Sequence, residues 1–177
     1  MSTLPTLQTG RLKIRPFVPS DAADVHSMAG DYRLAEMTLN IPHPYSAGMA
    51  EEWISTHHES WKSRDKATWA VCSNRNDELI GCVGLVITGT HYRSSLGYWI
   101  GYRYWKNGFC TEAATAVVNF GFEHLKLHRI EATHLTKNPA SGAVMRKIGM
   151  RHEGTMHHYV FKNGNFEDME LFAILAQ

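Results

Sequence analysis

The sequence predicts a mixed α/β domain: strands, a helix, a strand, a second helix, and a closing hairpin. Three observations carry the prediction. From residue 68 to residue 102 the apolar residues keep a strand-like period, and residues 79–87 are almost all apolar and β-branched, the mark of a strand covered on both faces. Residues 111–125 and 138–148 have helical spacing and alternate with a strand at 129–135. Asn163-Gly164, set between extended runs at 157–162 and 166–175, is a strong two-residue hairpin signal.

Taken in order, Leu12, Ile14 and Pro16 alternate with Lys13 and Arg15, giving a first strand with one wet face. Pro19, Ser20 and Asp21 start a helix, with Asp21 favourable at its positive end. One or two short helices then fill residues 21–40, until Pro42 and Pro44 break the pattern. Ser46 is placed to cap a further helix, whose Met49, Trp53, His57 and Trp61 recur every four residues along one packed face to about Arg64. Strands at 68–72 and 79–87 flank a turn at 74–78. The strand at 95–102 carries Gly97 and Gly101, and glycine inside a strand marks either a bend or a close approach by a ligand or backbone. In the helix at 111–125, Ala114, Val117, Val118, Gly121 and Leu125 share one face. Gly121 costs about 1 kcal/mol of helix propensity, so close packing against the sheet is expected there. Gly149 ends the second helix as a C-cap.

Composition narrows the classes. A chain of 177 residues, 44% hydrophobic and 20% charged, supports one domain with a real core, spanning 1–177. Lys and Arg number 18 against 17 for Asp and Glu, and no basic stripe is present, so nucleic acid is not an expected partner. Cys72, Cys82 and Cys110 form no Cys-x-x-Cys pair, which suits a reducing compartment. No signal peptide is visible, and the longest apolar run is far short of a membrane helix. A cytoplasmic domain with no membrane partner is the expectation. There are 11 histidines but no His-Glu-x-x-His and no Cys/His set with zinc spacing, so no metal is expected.

The segment from Gly101 to Ala113 invites chemistry. A strand runs into a tight loop, and the loop enters the amino end of a helix, where unpaired amides and the helix dipole favour an anion. Gly108 supplies a permissive backbone and Lys106 a charge. No Gly-x-Gly-x-x-Gly occurs, and the loop lacks the Gly-Lys-Ser/Thr ending of a P-loop. Spacing alone leaves a phosphate site and a plain strand-to-helix turn both open.

The string Leu96-Gly97-Tyr98-Trp99-Ile100-Gly101, followed by Tyr104-Trp105-Lys106-Asn107-Gly108-Phe109-Cys110-Thr111-Glu112-Ala113, resembles the acetyl-CoA motif of the GCN5-related N-acetyltransferases (GNAT). His128-Arg129-Ile130-Glu131-Ala132, Asn138-Pro139-Ala140-Ser141 and Met145-Arg146-Lys147-Ile148-Gly149-Met150 are similar to its second half, closest to the RimJ/RimL branch of ribosomal-protein acetyltransferases. The likeness runs from Leu7-Gln8-Thr9-Gly10-Arg11-Leu12 to the last strand.

The resemblance implies a single GNAT domain with a mixed, mostly antiparallel sheet, splayed in the middle and flanked by helices. It implies acetyl-CoA as cosubstrate and no metal. The pantetheine arm would slot beside Trp99, Ile100 and Gly101, with a backbone N–H near Ile100 holding the thioester carbonyl. The pyrophosphate would lie on the amides of Lys106, Asn107, Gly108, Phe109, Cys110 and Thr111, flanked by Trp105, and Asn138 would hold the pantetheine or the opposite loop. Gly101 and Gly108 would thereby gain a reason to be glycine. The implied reaction is direct attack by a primary amine in a ternary complex, most naturally a protein N-terminal α-amine. A small-molecule amine and a non-catalytic acyl-CoA-binding regulator are the alternatives, and relatives often form homodimers.

The chain departs from the family pattern at two places. The usual Gln/Arg-x-x-Gly-x-Gly/Ala reads Trp105-x-x-Gly108-x-Cys110, and Cys110 is expected as a loop residue rather than a nucleophile. Many relatives carry a tyrosine where Met145 stands, to protonate the departing thiolate, and methionine has no proton to give. Ser141, on the first turn of the same helix, is the nearest substitute and is assigned as the acid. A mild donor suffices for a thiol of pKa about 8.5. For the base, an α-amine of pKa about 8 asks little. Glu131 is the candidate, with His134 and the run His157-His158-Tyr159 behind it.

Overall fold

The computed structural model describes residues 3–177. One sheet of eight strands organises them: β1 (Leu7–Gln8), β2 (Leu12–Pro16), β3 (Lys66–Ser73), β4 (Leu79–Thr88), β5 (Arg93–Ile100), β6 (Arg129–Leu135), β7 (Arg151–Lys162) and β8 (Asn165–Leu175), in the spatial order β1-β2-β3-β4-β5-β6-β8-β7. Neighbours are antiparallel except β5 and β6, which are parallel. The helices are α1 (Ala22–Ala29), α2 (Tyr32–Met37), α3 (Met49–Ser55), α4 (His57–Lys62), α5 (Phe109–Glu123) and α6 (Pro139–Lys147).

The sheet separates two cores, because side chains alternate across each strand. On one face Trp69, Val71, Val83, Leu85, Leu96 and Ile130 pack against Val117, Val118 and Phe120 of α5. Trp69 meets Phe120 edge-on at 5.4 Å. On the other face Ala70, Cys72 and Leu79 pack under α1 and α3, through Val25, Ala50 and Ile54. Gly121 is glycine for the reason expected: a Cβ there would stand 2.8 Å from Ile130 Cδ1. Gly149 ends α6 with φ +88°, also as expected.

Several expectations need correction. The helix expected from Ser46 to Arg64 is two, α3 and α4, and α3 is entered through Gly48 at φ +86° rather than capped by Ser46. At the break, Ser55 Oγ donates to Glu52 O and Thr56 Oγ1 to Trp53 O, so hydroxyls compete with the helix ladder. Asp21 starts the helix from one turn earlier than α1: its carboxylate closes the 3-10 turn Pro19–Asp21 on the Val18 amide and makes no cap bond to α1 itself. It is buried, and its carboxylate accepts from Arg15 at 2.8 and 2.9 Å and from the Val18 amide at 2.9 Å. The first late helix begins at Phe109, two residues early, because Gly108 already turns the chain. β7 begins at Arg151 rather than at 157, as an edge strand whose exposed residues give no apolar alternation to read. β4 is covered on both faces through Leu85 and emerges at Val86, which is 50% exposed.

Candidate active site

The sheet opens between β5 and β6. β4 and β5 share eight register pairs, from Gly81↔Ile100 to Thr88↔Arg93, whereas β5 and β6 share three, ending at Ser95↔Glu131. Leu96 to Ile100 and Ala132 to Leu135 then run on without pairing to each other. The Gly101 amide is bonded to Ile80 O at 2.9 Å on the β4 side. Backbone groups alternate along a strand, so the amides of Tyr98 and Ile100 face the opening instead.

At the end of β5 the chain turns into α5. Trp105 Nε1 donates to Ile100 O at 2.6 Å, folding the indole back on the strand. Asn107 Nδ2 donates to Tyr104 O and Trp105 O at 3.2 and 3.0 Å, which rounds the loop. Lys106 (φ +64°) and Gly108 (φ +78°) both adopt the left-handed conformation. The first bond of the α5 ladder runs from the Glu112 amide to Gly108 O at 3.1 Å, so the amides of Phe109, Cys110 and Thr111 lie ahead of it at the positive helix end. Such amides at a positive helix end favour an anion. Cys110 packs toward the core, and burial pushes its thiol up to about 12, which keeps it protonated and unsuited to attack.

The loop is tied to the far end of the chain. Arg11 NH1 donates to Asn107 O at 2.9 Å, Arg11 Nε to Glu112 Oε2 at 2.7 Å, and the Arg11 amide to Glu112 Oε1 at 2.9 Å. Thr9 Oγ1 donates to the same carboxylate at 2.6 Å, and the Arg11 guanidinium lies over the Phe109 ring at 4.7 Å. Burial alone would raise the Glu112 pKa; the donors from Thr9 and Arg11 hold it below the usual carboxylate value.

Across the opening, Asn138 serves two helices. Its Oδ1 accepts from the Ser141 amide at 3.2 Å as the N-cap of α6, and its Nδ2 donates to Met37 O of α2 at 3.0 Å. Ser141 stands on the first turn of α6, as expected, and its Oγ lies 2.9 Å from the Tyr98 hydroxyl. Gly142 packs on His134: a Cβ there would stand 2.6 Å from His134 Nε2. His134 Nδ1 donates to Leu135 O at 2.8 Å, and Nε2 is buried without a partner among the described residues. Met145 is 1% exposed, in the core beneath.

Not every expected residue gathers here. Glu131 sits at the last paired position, where its carboxylate accepts from Arg129 Nε at 3.1 Å and Ser95 Oγ at 3.4 Å, with Arg93 at 3.9 Å. The carboxylate is thus engaged by guanidinium groups at the closed end rather than free in the opening, and this geometry argues against Glu131 as the base. Trp99 points to the opposite face of β5, into the core under α1 and α3. Gly101 lies against α1, where a Cβ would stand 2.5 Å from Met28 Sδ and push that side chain aside. His157 and His158 form a bulge closed by Asp168, which takes His157 Nδ1 at 2.9 Å and the His158 amide at 2.7 Å. Among the described residues no three His, Cys, Asp or Glu side chains gather as a metal site, and no helix is long and apolar enough to cross a membrane.

Sequence reasoning did not find the contact of Tyr98 with Ser141 or that of Arg11 with Glu112. The period-two alternation that puts Tyr98 on one face with Leu96 and Ile100 was available as a signal; the Arg11–Glu112 contact, 101 residues apart, had none. A recess of about 280 Å³ was equally invisible. It lies between α2, the segment 39–43 and the β7–β8 turn, and Tyr32, Glu36, His43, Phe161 and Lys162 line it.

Comparison with known proteins accords with this geometry. Residues 11–151 match the family model described as Acetyltransferase (GNAT) domain. The chain is 29% identical over 172 residues to the uncharacterized N-acetyltransferase YoaA of Bacillus subtilis, covering 97% of each. It is 30% identical over 99 residues to the [ribosomal protein uS5]-alanine N-acetyltransferase of Escherichia coli, covering 55% of this chain and 51% of that one. In fold it is like RimL, a ribosomal L7/L12 α-N-protein acetyltransferase solved with coenzyme A. There the TM-score is 0.89 at 16% identity, over 97% of this chain and 98% of that one.

Proposed function

Since the chain belongs to the GNAT acetyltransferase family, and is accordingly an acyltransferase, we propose that it moves an acetyl group from acetyl-CoA to a protein N-terminal α-amine by direct attack in a ternary complex. The observation that carries the reading is the continuity of free donors. Amides of Tyr98 and Ile100 face the opening, and it leads to the amides of Phe109, Cys110 and Thr111 at the amino end of α5. A thioester arm pairs with the first group and a pyrophosphate rests on the second, with Lys106 adding charge. The Ile100 amide then polarises the thioester carbonyl as charge develops on its oxygen.

In this reading Ser141 gives a proton to the departing thiolate, and water accepts the proton that the amine loses. The acceptor enters from the side of α2 and the hairpin, where the recess offers a carboxylate from Glu36 and aromatic walls from Tyr32 and Phe161. The E. coli relative's name, an alanine N-acetyltransferase of a ribosomal protein, supports an α-amine acceptor. We assign the reaction to the cytoplasm, consistent with three free cysteines. Met145, in place of a proton-donating side chain, is the observation that favours the rival reading of a non-catalytic acyl-CoA binder.

Thiol release from acetyl-CoA, followed with peptides bearing free amino termini, polyamines and amino-group drugs, tests the proposal. Release dependent on peptide, with acetate found on the α-amine, is expected. Release with polyamines alone would move the function to small-molecule amines. Tight coenzyme binding without release on any amine would establish the binder.

A further inference from the structure

Both arms of the opening reach the same turn of α6. From β5, the Tyr98 hydroxyl lies 2.9 Å from Ser141 Oγ and 3.1 Å from Ser141 O. From β6, the His134 ring fills the space beside Gly142. The Ser141 amide is held by Asn138. The serine is thus fixed on several sides, and its hydroxyl has one strong protein partner, the Tyr98 phenol. That phenol is half-buried against the main core with Cys110 close by, and burial pushes its pKa well above the ordinary value, so it stays protonated. One turn further along α6, Met145 brings no donor.

Resting on the acetyl-transfer reading, we propose that Tyr98 is a positioning residue of the reaction: its phenol, which donates to Ser141 O and lies against Oγ, fixes the rotamer of Ser141 and turns its O–H toward Oγ as the serine's own proton passes to the departing sulfur. The step balances without another reactant. The amine lone pair forms the N–C bond, and the C–S bond breaks with its pair on sulfur. The Ser141 proton passes to that sulfur, and the proton shed by nitrogen returns to Oγ through water. Tyr98 keeps its proton throughout. Its contribution is largest when negative charge grows on Oγ, because a donor already in place in a half-buried site is worth most there.

Tyr98→Phe removes one oxygen and keeps the ring in the core. The expected result is a fall in kcat of about three- to tenfold, the scale of one neutral hydrogen bond, with KM for acetyl-CoA within about twofold. Because the phenol acts through the serine, Tyr98→Phe combined with Ser141→Ala should be no slower than Ser141→Ala alone, within about twofold. Full kcat in Tyr98→Phe, or losses that multiply in the double variant, would overturn the role. So would a Tyr98→Phe chain that no longer melts cooperatively, since the hydroxyl would then be a structural tie. A native chain that binds acetyl-CoA and acetylates no amine would overturn the proposed function and this role together; an active native chain beside an equally active Tyr98→Phe overturns this role alone.

Discussion

On the β1–β5 side of the opening, residues a hundred positions apart are bonded to one another. In the β7–β8 hairpin, the bonds that close the bulge join near neighbours. Thr9 and Arg11 hold Glu112 and the Asn107 carbonyl, so the turn ahead of α5 is braced from outside. The hairpin braces itself, through Asp168 across its bulge and the Phe161–Phe166 rings 5.1 Å apart. Its aromatic residues remain in water: Tyr159, Phe161 and Phe166 are 62%, 66% and 63% exposed. The contrast fits a division of labour. Under the proposed function, a turn that receives the coenzyme profits from rigidity, whereas a hairpin beside the acceptor tolerates local adjustment.

That contrast can be broken at chosen points. The largest effect is expected from Gly142→Ala, where the added carbon has no room beside His134. Overpacking of this kind costs about 1–3 kcal/mol, readable in urea unfolding, and kcat should fall with it. An unchanged midpoint would mean that the two arms are not locked to α6. Gly108→Val forces a β-branched residue to φ +78°, at about 1–2 kcal/mol. Calorimetry should find coenzyme A binding weaker by about tenfold or more, and retained affinity would move the anion site elsewhere.

Glu112→Gln should cost about 1 kcal/mol at neutral pH. Its carboxylate is held below the ordinary pKa, so its contribution is present above about pH 4.5 and is lost as pH falls through the folded value. Stability measured across that acid window should accordingly fall less steeply in Glu112→Gln; an unchanged slope would remove the brace from the acid response. The smallest effect is expected at the hairpin. Phe161→Ser should shift stability by no more than about 0.5 kcal/mol while raising KM for the acceptor and not for acetyl-CoA. A large loss of stability there would erase the difference between the two regions.

The same division decides what the sequence could disclose. β4, α5 and β6 are read correctly because their apolar patterns are set by a core on known faces, and the turn at Gly108 because a positive φ and a helix start are both local requirements. Ser141 falls on the first turn of α6 because Asn138-Pro139 announces the cap. Glu131 misleads, since its arginine partners include Arg93, which lies on another strand. The packing at Gly101 is hidden for the same reason: Met28, which lies against it, belongs to α1. The start of β7 hides because a wet edge strand has no periodic signature. What escapes is what depends on distant segments meeting, or on residues that face water.

Asn138 carries one more consequence. One amide group serves α6 through its oxygen and α2 through its nitrogen, so conversion to aspartate would leave an oxygen facing the Met37 carbonyl. Asparagine ages to aspartate by cyclising onto the backbone nitrogen of the residue that follows, and here that residue is Pro139, which has no N–H to offer. The clamp between the two helices is therefore shielded from chemical wear by the same proline that begins α6.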